Sequence, residues 1–352
     1  GKRPPADSVE HLMRLSVLDL VPVRTDQTTS DALAATVRLA QTADRLGFTR
    51  YWLAEHHNMP AVAATSPPVL IALLAGRTEH IRLGSGGVML PNHAPLAVAE
   101  QFALLEAAAP GRIDLGLGRA PGSDPVTSVM LNVTDEGVAN FPRYLDEIAA
   151  MMSAGGVHVE LPARLGRPDY VLKATPAATG EPRLWLLGSS MYSAHLAAAK
   201  GLPYVFAHHF SGQGTEEALA VYRDEFRPSD LLSEPITFLT VNASVAPTSA
   251  EADALLLPNL QSMARLRTGQ PLRALDLVED AQAATPSPQE RAIIDATRAR
   301  AIVGAPAEAA AQVRELAEYF GVDEVMIHPV GAAYRGTDPA TAPAREQTLE
   351  LL

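Results

Sequence analysis

Cysteine is absent from the 352-residue chain, which excludes disulfides, thiolate zinc sites and cysteine nucleophiles. Aromatic residues make up only 5% of it, so a chain that is 47% hydrophobic builds its core mainly from Ala, Leu and Val. Positive charge is also in short supply. The formal net charge of −12 argues against a nucleic-acid or anionic-membrane surface. No apolar run approaches the roughly 20 residues that span a bilayer. The opening "GKRPPADSVEHLM" has no secretory apolar segment, so residues 1–12 read as a disordered leader or tag before Met13. The expectation is a cytoplasmic protein.

What the chain does have is alternation. Short apolar runs at 12–20, 50–55, 81–90, 112–118, 183–189, 203–208, 236–245 and 323–329 read as strands. Amphipathic stretches lie between them. In "SDALAATVRLAQTADRLG", Leu33, Val37, Ala40 and Ala43 recur at helical spacing, with Ser30 as the cap and Gly47 as the stop. Near the end, "APAEAAAQVRELAEYFG" closes on Gly321 before the last strand. Eight strands, each followed by a helix, predict a (β/α)8 TIM barrel with insertions, one domain over 13–352. An open doubly wound sheet is the alternative. Residues 155–182, rich in Gly and Pro, and 268–300, a Pro-containing segment plus a helical run, read as the insertions.

Barrels of this kind carry their chemistry at the C-terminal strand ends. That rule gathers Glu55, His56 and His57 after the second strand and Gly86 and Gly87 late in the third. It adds Arg119 after the fourth, Ser189 and Ser190 after the fifth, and His208 and His209 after the sixth. Each has an ordinary reading: a hydrogen-bonded histidine, a bulge, a loop cation, a helix cap. Their convergence on one rim is the argument for a site. Adjacent strand residues point to opposite faces, so neither histidine pair serves one metal. A metal set needs one His from each pair plus Glu55 or Asp19, and no ligand spacing marks it. By contrast, Gly188 and the serines before "MYSAHLAAAKG" form a helix start suited to a phosphate, with Arg119 and Arg143 as forked donors. Gly86 and Gly87 let a flat ring approach the backbone.

The stretch "GFTRYWLAEHH" followed by "LLAGRTEHIRLGSGGVMLPNHAPLAVAEQFALLEAAAPGRIDLGLGRA" resembles the bacterial-luciferase-like family of flavin-dependent oxidoreductases. The resemblance resumes in "LWLLGSSMYSAHLAAAKGLPYVFAHH" and "VGAPAEAAAQVRELAEYFGVDEVMIHP", and covers most of the barrel but not the insertions. It implies that His56 acts near the reactive edge of the flavin, with His57 as its neighbour. It implies a cis peptide at Gly86–Gly87 beneath the ring, a carboxylate near the flavin at Glu100, and phosphate contacts at Arg119, Arg143, Ser190 and Ser193. Where this chain has Gly86, Gly87 and His208, luciferase itself has small non-Gly residues and a Trp. The reactive cysteine associated with luciferase is also missing, so light emission is not expected.

The resemblance further implies a monooxygenase that takes reduced FMN from a separate flavin reductase and uses O2, through a peroxyflavin, to oxygenate a small organic substrate. His56 then moves protons, His57 and Glu55 orient it, His208 lines the substrate side, and 268–300 is a candidate lid. A homodimer through helices 31–46 and 94–109 is expected by the same resemblance. Three alternatives stay open: an oxidoreductase using a deazaflavin, a non-catalytic flavin-binding protein, and a metal-dependent hydrolase. The substrate depends on the loops after strands one, four and seven, and on the insertions.

Overall fold

The computed structural model describes residues 13–166 and 170–352; the expected leader, 1–12, lies outside them. Eight parallel strands close into a barrel: β1 (Arg14–Asp19), β2 (Arg50–Leu53), β3 (Arg82–Met89), β4 (Ile113–Gly118), β5 (Arg183–Gly188), β6 (Tyr204–Phe206), β7 (Thr237–Val245) and β8 (Glu324–Pro329). These match the eight runs read from the sequence, each trimmed by a residue or more at its ends. Closure is direct. Arg14 to Val17 of β1 stand opposite Glu324 to Ile327 of β8, and Tyr204 to Phe206 of β6 opposite Thr237 to Leu239 of β7.

Two additions went unread. Ile302–Gly304 forms a ninth parallel strand against Ala243 to Val245, beyond the point where β6 leaves β7. The insertion 155–182 contains an antiparallel hairpin, Val157–Val159 with Tyr170–Leu172. Three-residue strands are too short to show a period of two. The second insertion is mostly helical, over Val278–Ala283 and Pro288–Ala299.

The first helix, Thr29–Leu46, corrects the expected cap. Thr28, not Ser30, caps it, through a reciprocal pair of bonds with Asp31. Gly47 ends it at φ 80°, as expected. Its buried face runs through Ala32, Ala35, Leu39, Ala40 and Ala43, whereas Leu33 and Val37 are only half-buried.

Two packed regions fix the barrel. Between strands and helices lies an aliphatic shell that includes Val17, Leu39, Ile71, Leu115 and Val241. Inside the barrel, Trp52, Trp185 and Phe238 meet with ring centroids 5.2–5.5 Å apart. Toward the N-terminal strand ends, buried Arg50 bonds Asp114 at 2.7 Å and Glu324 at 2.9 Å, with Trp185 against its guanidinium at 4.7 Å. Each of these charges is paired, as burial requires. This plug closes the bottom, so chemistry is confined to the other end. No helix among the described residues is long and apolar enough to cross a membrane.

Candidate active site

Beyond Leu53 the chain leaves β2 and crosses the mouth. Glu55 is fully buried there and is held from four sides. His93 Nε2 lies 2.8 Å and the Met89 N–H 3.1 Å from Oε1; His57 Nε2 lies 2.7 Å and Asn92 Nδ2 2.8 Å from Oε2. Burial pushes its pKa up, but the bonds from His93, His57 and Asn92 outweigh that and hold it below the usual carboxylate range. Glu55 and His57 therefore lock the loop; neither bonds the His56 side chain, which corrects their expected orienting role.

His56 turns the other way, into a pocket. It meets His209 there, from the turn after β6, and His328 at the end of β8. The rings of His209 and His328 are edge-to-face at 5.7 Å. His328 Nδ1 lies 2.7 Å from Asn242 Oδ1, its register partner on β7, and His209 Nδ1 contacts Thr240 Oγ1. Burial is the main cause that lowers all three pKa values, His209 to about 3 and His328 well below the ordinary value. All three are neutral near pH 7. Among the described residues no group of three or more His, Asp or Glu is arranged to hold a metal ion.

The pair at 208–209 corrects the sequence reading. The chain turns into a helical turn, His208–Ser211, directly after β6. His208 faces outward, with Nδ1 2.6 Å from Thr215 Oγ1 and its ring against Phe320, and His209 takes the place at the pocket. His328 joins the site by the same strand-end rule as His56, since "MIHP" ends the last strand. His93 and Asn92 carry no such signal, since they sit in a 3-10 turn and its cap.

The other half of the mouth is glycine-lined. The Gly86–Gly87 peptide is cis. A Cβ on Gly87 would come within 3.0 Å of the Gly116 carbonyl, and one on Gly116 within 2.1 Å of the Ser85 carbonyl. This side of the barrel therefore stays flat and close-packed. Arg119, after β4, lies 3.8 Å over the ring of Tyr192, in the first turn of the helix Met191–Lys200. Ser189 and Ser190 are exposed at that helix start, and Ser190 makes no side-chain cap bond, so the first N–H groups stay available. Ser193 points inward instead, bonding the Ser190 carbonyl at 2.8 Å and Tyr204 at 3.1 Å. Arg143 pairs with Glu147 at 3.3 Å on an exposed helix face, and Glu100 is exposed on the outer helix Pro95–Ala108. Neither lines the histidine pocket.

The profile of a family described as luciferase-like monooxygenase matches residues 13–324. The chain belongs to that family. A luciferase-like monooxygenase of Escherichia coli strain K12 is 37% identical over 320 residues, 89% of this chain and 90% of that protein. The uncharacterised protein YvbT of Bacillus subtilis strain 168 is 40% identical over 314 residues, 89% of this chain and 90% of its own length. Among solved structures, apo-MsnO8 superposes with a TM-score of 0.84 at 33% identity, covering 97% of each chain. The oxygenating constituent of 3,6-diketocamphane monooxygenase from Pseudomonas putida, solved with FMN, shares the fold at a TM-score of 0.70 and 18% identity, covering 97% of this chain and 96% of its own. As a luciferase-like monooxygenase, this chain carries its strand-end residues on the family's barrel.

Proposed function

We propose that this chain is an FMN-dependent monooxygenase that uses O2 to oxygenate a small organic substrate at the barrel mouth. The observation that carries the reading is the division of that mouth. One half offers a flat glycine floor, an arginine and an uncapped helix start; the other is a pocket lined by three neutral histidines. The first half fits a flat ring with a phosphate: Gly86 and Gly87 admit the ring, while Arg119 and the Ser189–Ser190 backbone hold the anion. Arg119 forms no ion pair with a carboxylate among the described residues, so its charge is free for that task.

Bound reduced FMN supplies the electrons that activate O2. His56 holds or moves a proton at its ring nitrogen, and a neutral imidazole is suited to both directions of transfer. Residues 268–300 act as a wall that keeps water out, since Leu272, Arg273 and Leu275 line the pocket. A separate reductase supplies the flavin. Leu46 and Leu104, exposed on the helices Thr29–Leu46 and Pro95–Ala108, support the homodimer through those two helices.

The test is anaerobic titration with reduced FMN, followed by rapid mixing with oxygenated buffer. Saturable binding, with flavin reoxidation slower than that of free reduced FMN, supports the reading. Absence of binding sinks it.

A further inference from the structure

The histidine pocket has a second property: its buried charges are paired and two of its acceptors are not. Three arginines reach it. Arg24 is bound to Asp26 at 2.9 Å and to the Thr341 carbonyl at 2.9 Å. Arg345 is bound to Asp19 at 2.6 Å and to the Pro329 carbonyl at 3.0 Å, and Arg273 to Asp276 at 2.7 Å. The walls between them are apolar: Met59, Val62, Met263, Leu266, Leu272 and Leu275. Asp276 is shared with Arg265 at 2.9 Å, so the one surplus positive charge among the described residues there sits on Arg273, whose side chain is exposed, and the buried part of the pocket offers a charged group no unpaired partner.

The acceptors stand out against that background. Asn242 Oδ1 can only accept, so His328 Nδ1 donates to it. A neutral ring has one N–H, and burial keeps this ring neutral. Its Nε2 is therefore a bare lone pair, with no protein donor among the described residues, on a residue that lines the pocket. Asn259 Oδ1, from the helix Ser249–Arg267 across the same pocket, is buried without a hydrogen bond. An unpaired buried acceptor such as Asn259 Oδ1 costs free energy until a donor arrives, and His328 Nε2 is open to the same donor from the pocket. A site of this kind rejects the analogue that lacks the donor more strongly than it rejects a change in apolar bulk.

We infer that the substrate of this enzyme is an apolar-bodied molecule, uncharged in the part that meets the histidines, that brings an N–H or O–H donor to His328 Nε2, which makes His328 a specificity-determining residue. The inference rests on the reading of the mouth as an oxygenation site, but its test does not need the reaction. Indole and 1-methylindole share one body and differ in a single N–H; indole-5-carboxylate adds a negative charge. Their binding to the full chain is measured by ligand-detected NMR titration, without flavin.

Indole is expected to bind about fivefold or more tightly than 1-methylindole, the worth of one buried hydrogen bond, and more tightly than the carboxylate. In His328→Leu that preference is expected to vanish while 1-methylindole binds as before; in His328→Gln, which keeps an acceptor, it is retained in part. Equal binding of indole and 1-methylindole to the unaltered protein, or binding of neither, overturns the inference even if the Leu variant fails to fold. Tighter binding of the carboxylate overturns its uncharged part. Preference for indole in a protein that never binds reduced FMN sinks the functional reading and leaves the subsite standing.

Discussion

His57 Nε2 lies 2.7 Å from Glu55 Oε2, so the second histidine of the pair faces a buried carboxylate while the first faces the pocket. Glu55 thereby organises the mouth. Glu55→Ala strands donors from His57, His93, Asn92 and the Met89 N–H, and is expected to cost about 3–5 kcal/mol, roughly 10 °C in Tm. Glu55→Gln, which keeps an acceptor, is expected to cost less than half of that. Thermal melts of both variants decide it; two melts equal to that of the unaltered protein contradict the role.

His56→Ala separates binding from chemistry. Flavin affinity is expected to stay unchanged, since the ring floor and phosphate site lie across the mouth. Oxygenation is expected to fall by about a hundredfold or more, the usual share of a proton-transfer group. Single-turnover product yield reads this, and unchanged oxygenation removes His56 from the mechanism.

Arg119 should be felt through the phosphate alone. In Arg119→Ala, reduced FMN is expected to bind at least tenfold more weakly, as loss of a charge-assisted bond implies. Riboflavin, which has no phosphate, is expected to bind the variant and the unaltered protein alike. A comparable loss for both ligands points to damage at the ring site.

Stability should turn downward in mild acid. The folded pKa values of His56, His209 and His328 are depressed, His209 to about 3. The unfolded chain therefore takes up protons first, at about pH 6.5. The stabilisation is complete above that value and is lost as pH falls toward the folded pKa values. Each neutral histidine contributes a slope of about 1.4 kcal/mol per pH unit. Tm is expected to drop between pH 7 and 5, before the carboxylates of Asp19 and Asp114 begin to protonate. His328→Phe is expected to flatten the slope. A Tm constant over that range disproves the claim.

The barrel is legible because each of its strands is an apolar run bounded by a helix, and one strand-end rule then points to the mouth as the candidate site. His56, Gly86, Gly87, Arg119 and Ser190 all stand at the mouth. What failed was orientation. A strand reading turns His208 toward the substrate side, yet the chain is already helical there and turns His209 to the pocket instead. Glu100 reads as a site residue by resemblance but sits on the outer face of its helix. Asn242 and His328 become partners only through the pairing of β7 with β8, a relation between residues 86 apart that no local pattern announces.

The pairing of β1 with β8 has a consequence for the order in which the molecule is made. Residues 14–17 leave the ribosome early but find their neighbours only when 324–327 have followed. A domain folds as a unit, so the edge of β1 that meets β8 has no partner until the last strand has been made. That edge, with its run of buried Val17 and Leu18, is a template for pairing with another chain. The site shares the delay, because His56 has no pocket to face until His328 and Arg345 have emerged. A chain truncated before β8 leaves β1 unpaired on that side and the histidine pocket without His328.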